Sequence, residues 1–241
     1  MVNSLGNLYA NQGKLDEAEK MYQRALQGKE KAWGPDHTST LDTVNNLGVL
    51  YQSQGKLDEA EKMYQRALQG KEKAWGPDHT STLNTVNNLG LLYADQGKLD
   101  EAEKIYQWAL QGKEKAWGPD HTSTLNTVNN LGRLYADQGM LDEAERMYQR
   151  ALQGYEKVLG LKNIARHRPA LNTMWNLGHL FETQGHLDKS KEMYSRAYTG
   201  FQVLLGPSSN ECQHIERSIA SLDATQGKRG DISTLFAHII D

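Results

Sequence analysis

A single cysteine, Cys212, is the only thiol in this 241-residue chain. It excludes an intramolecular disulfide framework and suits a reducing compartment. An excess of one charge is lacking too: 27 Lys and Arg stand against 30 Asp and Glu, a net charge of −3, so there is no electrostatic case for a nucleic-acid surface. Nowhere do eighteen apolar residues run consecutively, and the N-terminus has no charged segment followed by an apolar one. These absences predict cytosolic or nuclear residence, with the cytoplasm as the working expectation and neither membrane nor nucleic acid as a partner.

Catalytic signatures are missing as well. No phosphate loop, dinucleotide fingerprint or HExxH occurs. His37, His79 and His121 recur one per repeat; packed helices sit roughly 8–10 Å apart, whereas zinc needs its ligands at about 2 Å, so the three cannot share an ion. Their expected work is to stabilise loops by hydrogen bonds. Cys212 and His214 lack a recognisable third partner. The acidic runs at Asp58-Glu59-Glu61 and their copies are charges of a helix start. No catalytic residue, metal or cofactor is expected, and the chain reads as a non-enzyme.

What fills the chain is one unit, repeated. The glycine of a Gln-Gly dipeptide returns at Gly13, Gly55, Gly97, Gly139, Gly185 and Gly227, at intervals of 42, 42, 42, 46 and 42 residues. A period of this size means a solenoid, propeller or array. The phase gives five repeats, near 2–43, 44–85, 86–127, 128–173 and 174–217, and a degenerate sixth unit at 218–241 expected to cap the stack through Leu235-Phe236 and Ile239-Ile240. Within a repeat, Leu83, Val86, Leu89 and Tyr93 mark one helical face, with Gly90 allowing close approach of a neighbour. Gly97 ends that helix, and Asp100, Glu101 and Glu103 open a second one that carries Leu99, Ala102, Tyr106, Ala109, Leu110 and Trp117. Each repeat is thus a helical hairpin, a helix A followed by a helix B. No hairpin buries its apolar stripe alone, so neighbours must stack.

The series Leu89-Gly90, Tyr93, Gly97, Ala102, Tyr106 and Ala109 resembles the tetratricopeptide repeat. The 42-residue length with "NNL", "QGKLDEAE" and "G.DH" resembles its kinesin light chain variety. The resemblance covers about nine-tenths of the chain. It implies an all-α, right-handed α-solenoid in which helix A lines a groove that holds a peptide or another protein. The family's usual aromatic before the Leu-Gly pair is Val44, Val86 or Val128 here, with Trp175 as its return in repeat five. Val2 already aligns with Val44, without the "GPDHTST" that precedes later copies, and this start predicts a piece of a longer array.

Where the copies differ, they point to a binding surface. Repeats two and three differ at five positions, and three of these, Val49 against Leu91, Gln52 against Ala94 and Ser53 against Asp95, fall on one patch of helix A. Tuned groove positions and drift at exposed positions both account for this; the matching outer face of helix B favours tuning. One position runs Asn7, Val49, Leu91, Arg133, His179. Beside it stand Asn45, Asn87 and Asn129, each followed by a second asparagine, whose amides either hold the backbone of an extended peptide or bond neighbouring helices. The expected ligand lays apolar side chains over Val49 and Leu91 and an acidic one near Arg133, whereas Asp95 and Asp137 favour a basic ligand.

Three features lie outside the groove. The longer connector between repeats four and five holds Lys162, Arg166, His167 and Arg168, either a solvated link or a hinge or acidic-partner contact. Trp33, Trp75 and Trp117 are expected to pack between repeats. Trp108, replacing Arg24, Arg66 and Arg150, is expected to be exposed, either as a second contact surface or as a lone surface apolar residue. The function this supports is a non-catalytic protein- or peptide-binding scaffold. The alternative is the sensor array of a larger nucleotide-binding signalling protein, with an intramolecular partner domain.

Overall fold

The computed structural model describes the backbone from Val2 to Ile240; the side chains of Leu161 and of residues 227–240 lie outside the described residues. All described elements are helices. They fall into two compact units, Met1–Gly118 and Pro119–Asp241. The first holds α1 (Val2–Asn11), α2 (Leu15–Trp33), α3 (Thr38–Ser53), α4 (Leu57–Trp75), α5 (Thr80–Asp95) and α6 (Leu99–Trp117). The second holds α7 (Thr122–Asp137), α8 (Leu141–Ile164), α9 (Arg168–Thr183), α10 (Leu187–Leu205) and α11 (Asn210–Ile240). Consecutive helices pair as hairpins, as the repeat requires.

Each hairpin closes over a glycine. Gly48 of α3 is buried, and a methyl group there would sit 2.6 Å from the Tyr64 ring, so the ring of helix B lies flat on the backbone of helix A. Gly90 with Tyr106 and Gly178 with Tyr194 repeat the contact. The turn between the helices uses Gly55 at φ +74, where a side chain would be strained. Lys56 N–H then donates to the Tyr51 carbonyl at 2.9 Å, satisfying a carbonyl at the helix end.

Stacking completes the core. Ala18 and Tyr22 of α2 pack with Leu47 and Leu50 of α3, and Ala60 and Tyr64 of α4 with Leu89 and Leu92 of α5. The buried stripe of helix A is therefore Leu83, Val86, Leu89 and Leu92, while Tyr93 is half-buried at its margin. Leu5 and Leu8 of α1, in the same register as Leu47 and Leu50, are 37% and 50% exposed, whereas Leu47 and Leu50 are covered by Ala18 and Tyr22 of α2. Full burial of a leucine is worth roughly 1.5–3 kcal/mol, so stacking dominates the stability of each unit.

Polar bonds fix the register between hairpins. Glu61 of α4 accepts from Gln96 at 3.0 Å and from Lys98 at 3.5 Å. The Gln96 hydrogen bond, outweighing desolvation, and Lys98 hold the Glu61 carboxyl below its ordinary range. Within one hairpin, Lys71 is buried on α4 and pairs with Asp42 of α3 at 3.0 Å.

The histidines mark where helix A begins. Nδ1 of His37 and of His79 accepts from the backbone N–H two residues on, at 3.2 Å, so each is a side-chain N-cap. In the second unit His121 does the same for Ser123. The hairpins therefore start at Thr38, Thr80 and Thr122, six residues before the valines that set the sequence phase.

Three expectations need correction. Trp33 is 56% exposed and Trp75 is also exposed; both lie against a histidine, with ring centroids 5.0 Å from His37 and 4.7 Å from His79, rather than deep between repeats. The extra residues between repeats four and five are not an open loop: α8 kinks at Gly160, φ 69, and continues in helical form to Ile164. The stretch at Gly227 expected to open a sixth unit lies within α11. Cys212, Ile215 and Leu222 of α11 are buried and α11 lies against α10, but the expected capping residues from Leu235 onward fall outside the described side chains.

His167 departs from the other caps. It is the N-cap of α9, yet position 169 is proline and has no N–H to donate. Nδ1 of His167 is buried without a partner among the described residues, the ring lies 5.1 Å from that of Tyr155, and burial pushes its pKa down.

Two tests follow from this packing. Gly48→Ala should destabilise the protein by about 1–3 kcal/mol through overpacking on Tyr64, whereas Gly28→Ala, where nothing lies within 4 Å, should stabilise it by about 0.5–1 kcal/mol; urea midpoints read both. Because His167 has a lowered pKa, the neutral ring is favoured in the folded state. Its contribution is complete above the unfolded value of about 6.5 and is lost as pH falls below it. Pro169→Ser supplies the missing N–H, so its stability relative to wild type should be more favourable at pH 8 than at pH 5 by about 1 kcal/mol. A difference independent of pH would refute the restored cap.

Candidate binding groove

One residue beyond each helix-A glycine, a side chain leaves the packed face. Val49 on α3 is 44% exposed, Leu91 on α5 is half-buried, and Arg133 on α7 and His179 on α9 are exposed. Their exposure follows from the helical period: Leu89 and Leu92 turn into the core on either side of Leu91.

Of the residues expected to line a groove, the first unit carries Asn45, Val49, Asn87, Leu91 and Asp95. Oδ1 of Asn45 accepts from the Thr85 hydroxyl at 3.0 Å and from Nδ2 of Asn88 at 3.3 Å. Of the two uses foreseen for these amides, bonding of the neighbouring helix accounts for this oxygen, while Nδ2 of Asn45 donates to no protein atom among the described residues. Asn87 is half-buried at the equivalent place on α5. Asp95 accepts from Nε2 of Gln52 at 2.6 Å, and Gln52 accepts from the Tyr64 hydroxyl at 2.9 Å. Val49 lines a small cavity of about 110 Å³ with Ala10, Leu15 and Tyr22; Leu91 and Asp95 do not line it.

In the second unit the same register opens much wider. Arg133, Asp137 and His179 come together around a cavity of about 410 Å³, with Leu141, Tyr148 and Trp175 among its walls. Arg133 Nε lies 4.0 Å from Asp137, a loose ion pair with both partners about half exposed. Burial, with the Asp137 charge adding to it and Arg133 opposing, pushes the Tyr148 phenol up. The hydroxyl therefore stays protonated beneath the groove. Asn129 repeats the Asn45 bond, its Oδ1 accepting from Thr173 at 2.9 Å and from Asn176 at 3.4 Å.

Trp175 is the residue that sequence reasoning misplaced. Aligned on Leu177-Gly178, Met174 takes the place of Val44 and Trp175 the place of Asn45. It is a groove wall rather than a returned core aromatic. The signal was present in the Leu-Gly register, which shifts it by one residue.

No cluster of three or more metal-ligating side chains occurs among the described residues. No helix among them is long and apolar enough to cross a membrane. The arrangement offers apolar contact, hydrogen-bond donors and charge on a surface, the features of recognition.

Models of the tetratricopeptide repeat match residues 1–73, 43–115 and 81–157, and a further one matches 171–199. No curated protein matches the chain in sequence. Among solved structures, BtubC (BKLC) from P. vanneervenii is 23% identical with a TM-score of 0.69, covering 87% of this chain and 82% of that one. TPR-like repeats from Podosopora anserina, described as nearly identical to one another and of a kinesin light chain, are 20% identical with a TM-score of 0.64, covering 83% and 93%. A Rap protein complexed with Competence and Sporulation Factor is 15% identical with a TM-score of 0.71, covering 92% and 64%. At these identities the likeness is one of fold.

The Asn129 bonds can be tested without a ligand. Asn129→Ala removes the inter-hairpin acceptor of the fully buried Thr173, whose hydroxyl then keeps only the Pro169 carbonyl of its own helix at 3.0 Å, and should cost about 1 kcal/mol in urea unfolding; an unchanged midpoint would show that the bond contributes nothing to holding α9 on α7.

Proposed function

The chain belongs to the tetratricopeptide repeat family, and from that premise we propose a non-catalytic scaffold, built of kinesin light chain-like repeats, that holds a protein or an extended peptide against its A helices. The carrying observation is that the near-identical helices α3, α5 and α7 present different side chains at one register position, Val49, Leu91 and Arg133, with His179 there on the more divergent α9, beside cavities that differ nearly fourfold in volume. Packing alone would not require that variety at an outward position.

In this reading the first unit receives apolar ligand side chains over Val49 and Leu91. The second receives an acidic side chain at Arg133 and His179, with Trp175 supplying apolar wall. Nδ2 of Asn45 and of Asn129 serves as a donor to ligand carbonyls, and Asn87 takes the same part. Asp95 and Asp137 temper the charge: the first is held by Gln52 and the second sits beside Arg133. Residues 1–217 form the working array and 218–241 its cap. The reducing cytoplasm suits the lone, buried Cys212, and the known complex of the structurally similar Rap protein with a bound factor supports the binding role by analogy.

The test is a cytosolic pull-down with the wild-type chain beside a Leu91→Asp, Arg133→Glu variant of matched helicity, with each partner lost from the variant then titrated as a purified protein. Arg133→Glu should weaken a genuine groove partner by about tenfold or more, mostly through faster dissociation. Partners that bind both forms equally would remove the groove register and return weight to a sensor array whose contact is a domain of its own.

A further inference from the structure

The outer row of the B helices carries a second, independent feature. In the first unit, Nη2 of Arg66 on α4 meets Oε1 of Glu30 on α2 at 2.6 Å, with both side chains about two-thirds buried. The same pair, Arg196 with Glu156, forms in the second unit at nearly the same exposure. Its recurrence shows that the repeat itself shapes a place beside this glutamate that fits a guanidinium.

The copy on α6 breaks the pattern. Trp108 relates to Glu72 as Arg66 does to Glu30, since 108 − 72 and 66 − 30 are both 36, so tryptophan stands where the cation would be. Trp108, expected from the sequence to be exposed, is half-buried, as is Glu72. Among the described residues, no donor or cation lies within bonding distance of the Glu72 carboxylate, whereas Glu30 and Glu156 each hold an arginine. The indole N–H of Trp108 likewise donates to no described protein atom. Lys104, one turn earlier on α6, does not reach Glu72.

We propose that Glu72 and Trp108 form a docking point for an arginine of a partner protein, whose guanidinium pairs with the Glu72 carboxylate and stacks on the Trp108 indole. The carboxylate supplies charge complementarity, and the fit is the one that Arg66 makes to Glu30 within the chain. Arginine is specified over lysine because its flat guanidinium lies on an aromatic ring while an N–H of the same plane donates to the carboxylate, as Nη2 of Arg66 does to Glu30. Tryptophan is also the residue most enriched where binding energy concentrates. The site lies on helix B and does not depend on the groove.

The experiment follows the Trp108 indole N–H signal by NMR while the full chain is titrated with acetyl-Gly-Arg-Gly-amide, using the Lys and Gln tripeptides as controls at constant ionic strength. The arginine peptide should shift the signal saturably. Glu72→Gln should weaken that binding by about fivefold, and Glu30→Gln should leave it unchanged. Trp108→Arg, which places at 108 the residue already found at 24, 66 and 150, should leave thermal stability undiminished and, followed by the backbone signals of α6, should abolish the response by filling the site from within. Equal response to the lysine or glutamine peptide, or full binding by Glu72→Gln, would overturn the proposal. So would an indole shift produced merely by concentrating the protein, which would identify the occupant as a second copy of the chain.

Discussion

The contact on which the rest depends is a tyrosine ring laid on a glycine. With no Cβ at Gly48, the ring of Tyr64 reaches across helix A, and its hydroxyl emerges at the groove to bond Gln52. Tyr22 does the same for Asn7 at 2.7 Å, and Tyr194 for Glu182 at 2.8 Å. Burial pushes the Tyr64 and Tyr194 phenols up, so they remain donors. One contact thereby sets the spacing of each hairpin and ties the core to groove side chains. Because it uses only residues common to the copies, the exposed position one residue past the glycine is free to vary.

Buried charge shows how far variation within the stack is tolerated. Lys71 is neutralised by Asp42. One repeat later the aspartate position is Asn84, and burial pushes Lys113 down to about 8, the direction expected when desolvation is not offset by a carboxylate. In the second unit the lysine position becomes Tyr155, whose hydroxyl bonds Asn126. The aspartate changes first and the lysine one copy later, so the series ends in a neutral hydrogen bond in place of the ion pair, which meets the rule that a buried polar group must keep a partner.

Most of the fold was legible in the sequence because its signals are local and repeated: a glycine every 42 residues and an apolar stripe at helical spacing. The start of helix A was not. Its cap is histidine rather than the serine, threonine, aspartate or asparagine that usually marks an N-terminus, so "HTST" read as an approach to the helix when it is the first turn. The insertion near residue 161 read as a loop because its Lys and Arg residues suggest solvent, yet charged residues lie comfortably on one side of a helical turn. In the groove, Val49, Leu91, Arg133 and His179 were visible as differences between copies. The cavity beside Arg133 was not, since it depends on Trp175 replacing an asparagine, a change of shape that pattern alone does not report.

The asparagines carry the last step of the synthesis. A side-chain amide has an acceptor and two donor hydrogens, and the structure divides these labours. The oxygens of Asn45 and Asn129 bind the threonine and second asparagine of the following hairpin, which orients each amide and fixes where its nitrogen points. An amide held in this way loses little conformational freedom on meeting a ligand, and such preorganisation is what turns a modest contact into useful affinity. In the proposed binding mode, stability and recognition share a residue without competing for the same atom. A solenoid that bonds its hairpins together through one end of a side chain leaves the other end presented at a spacing set by the repeat.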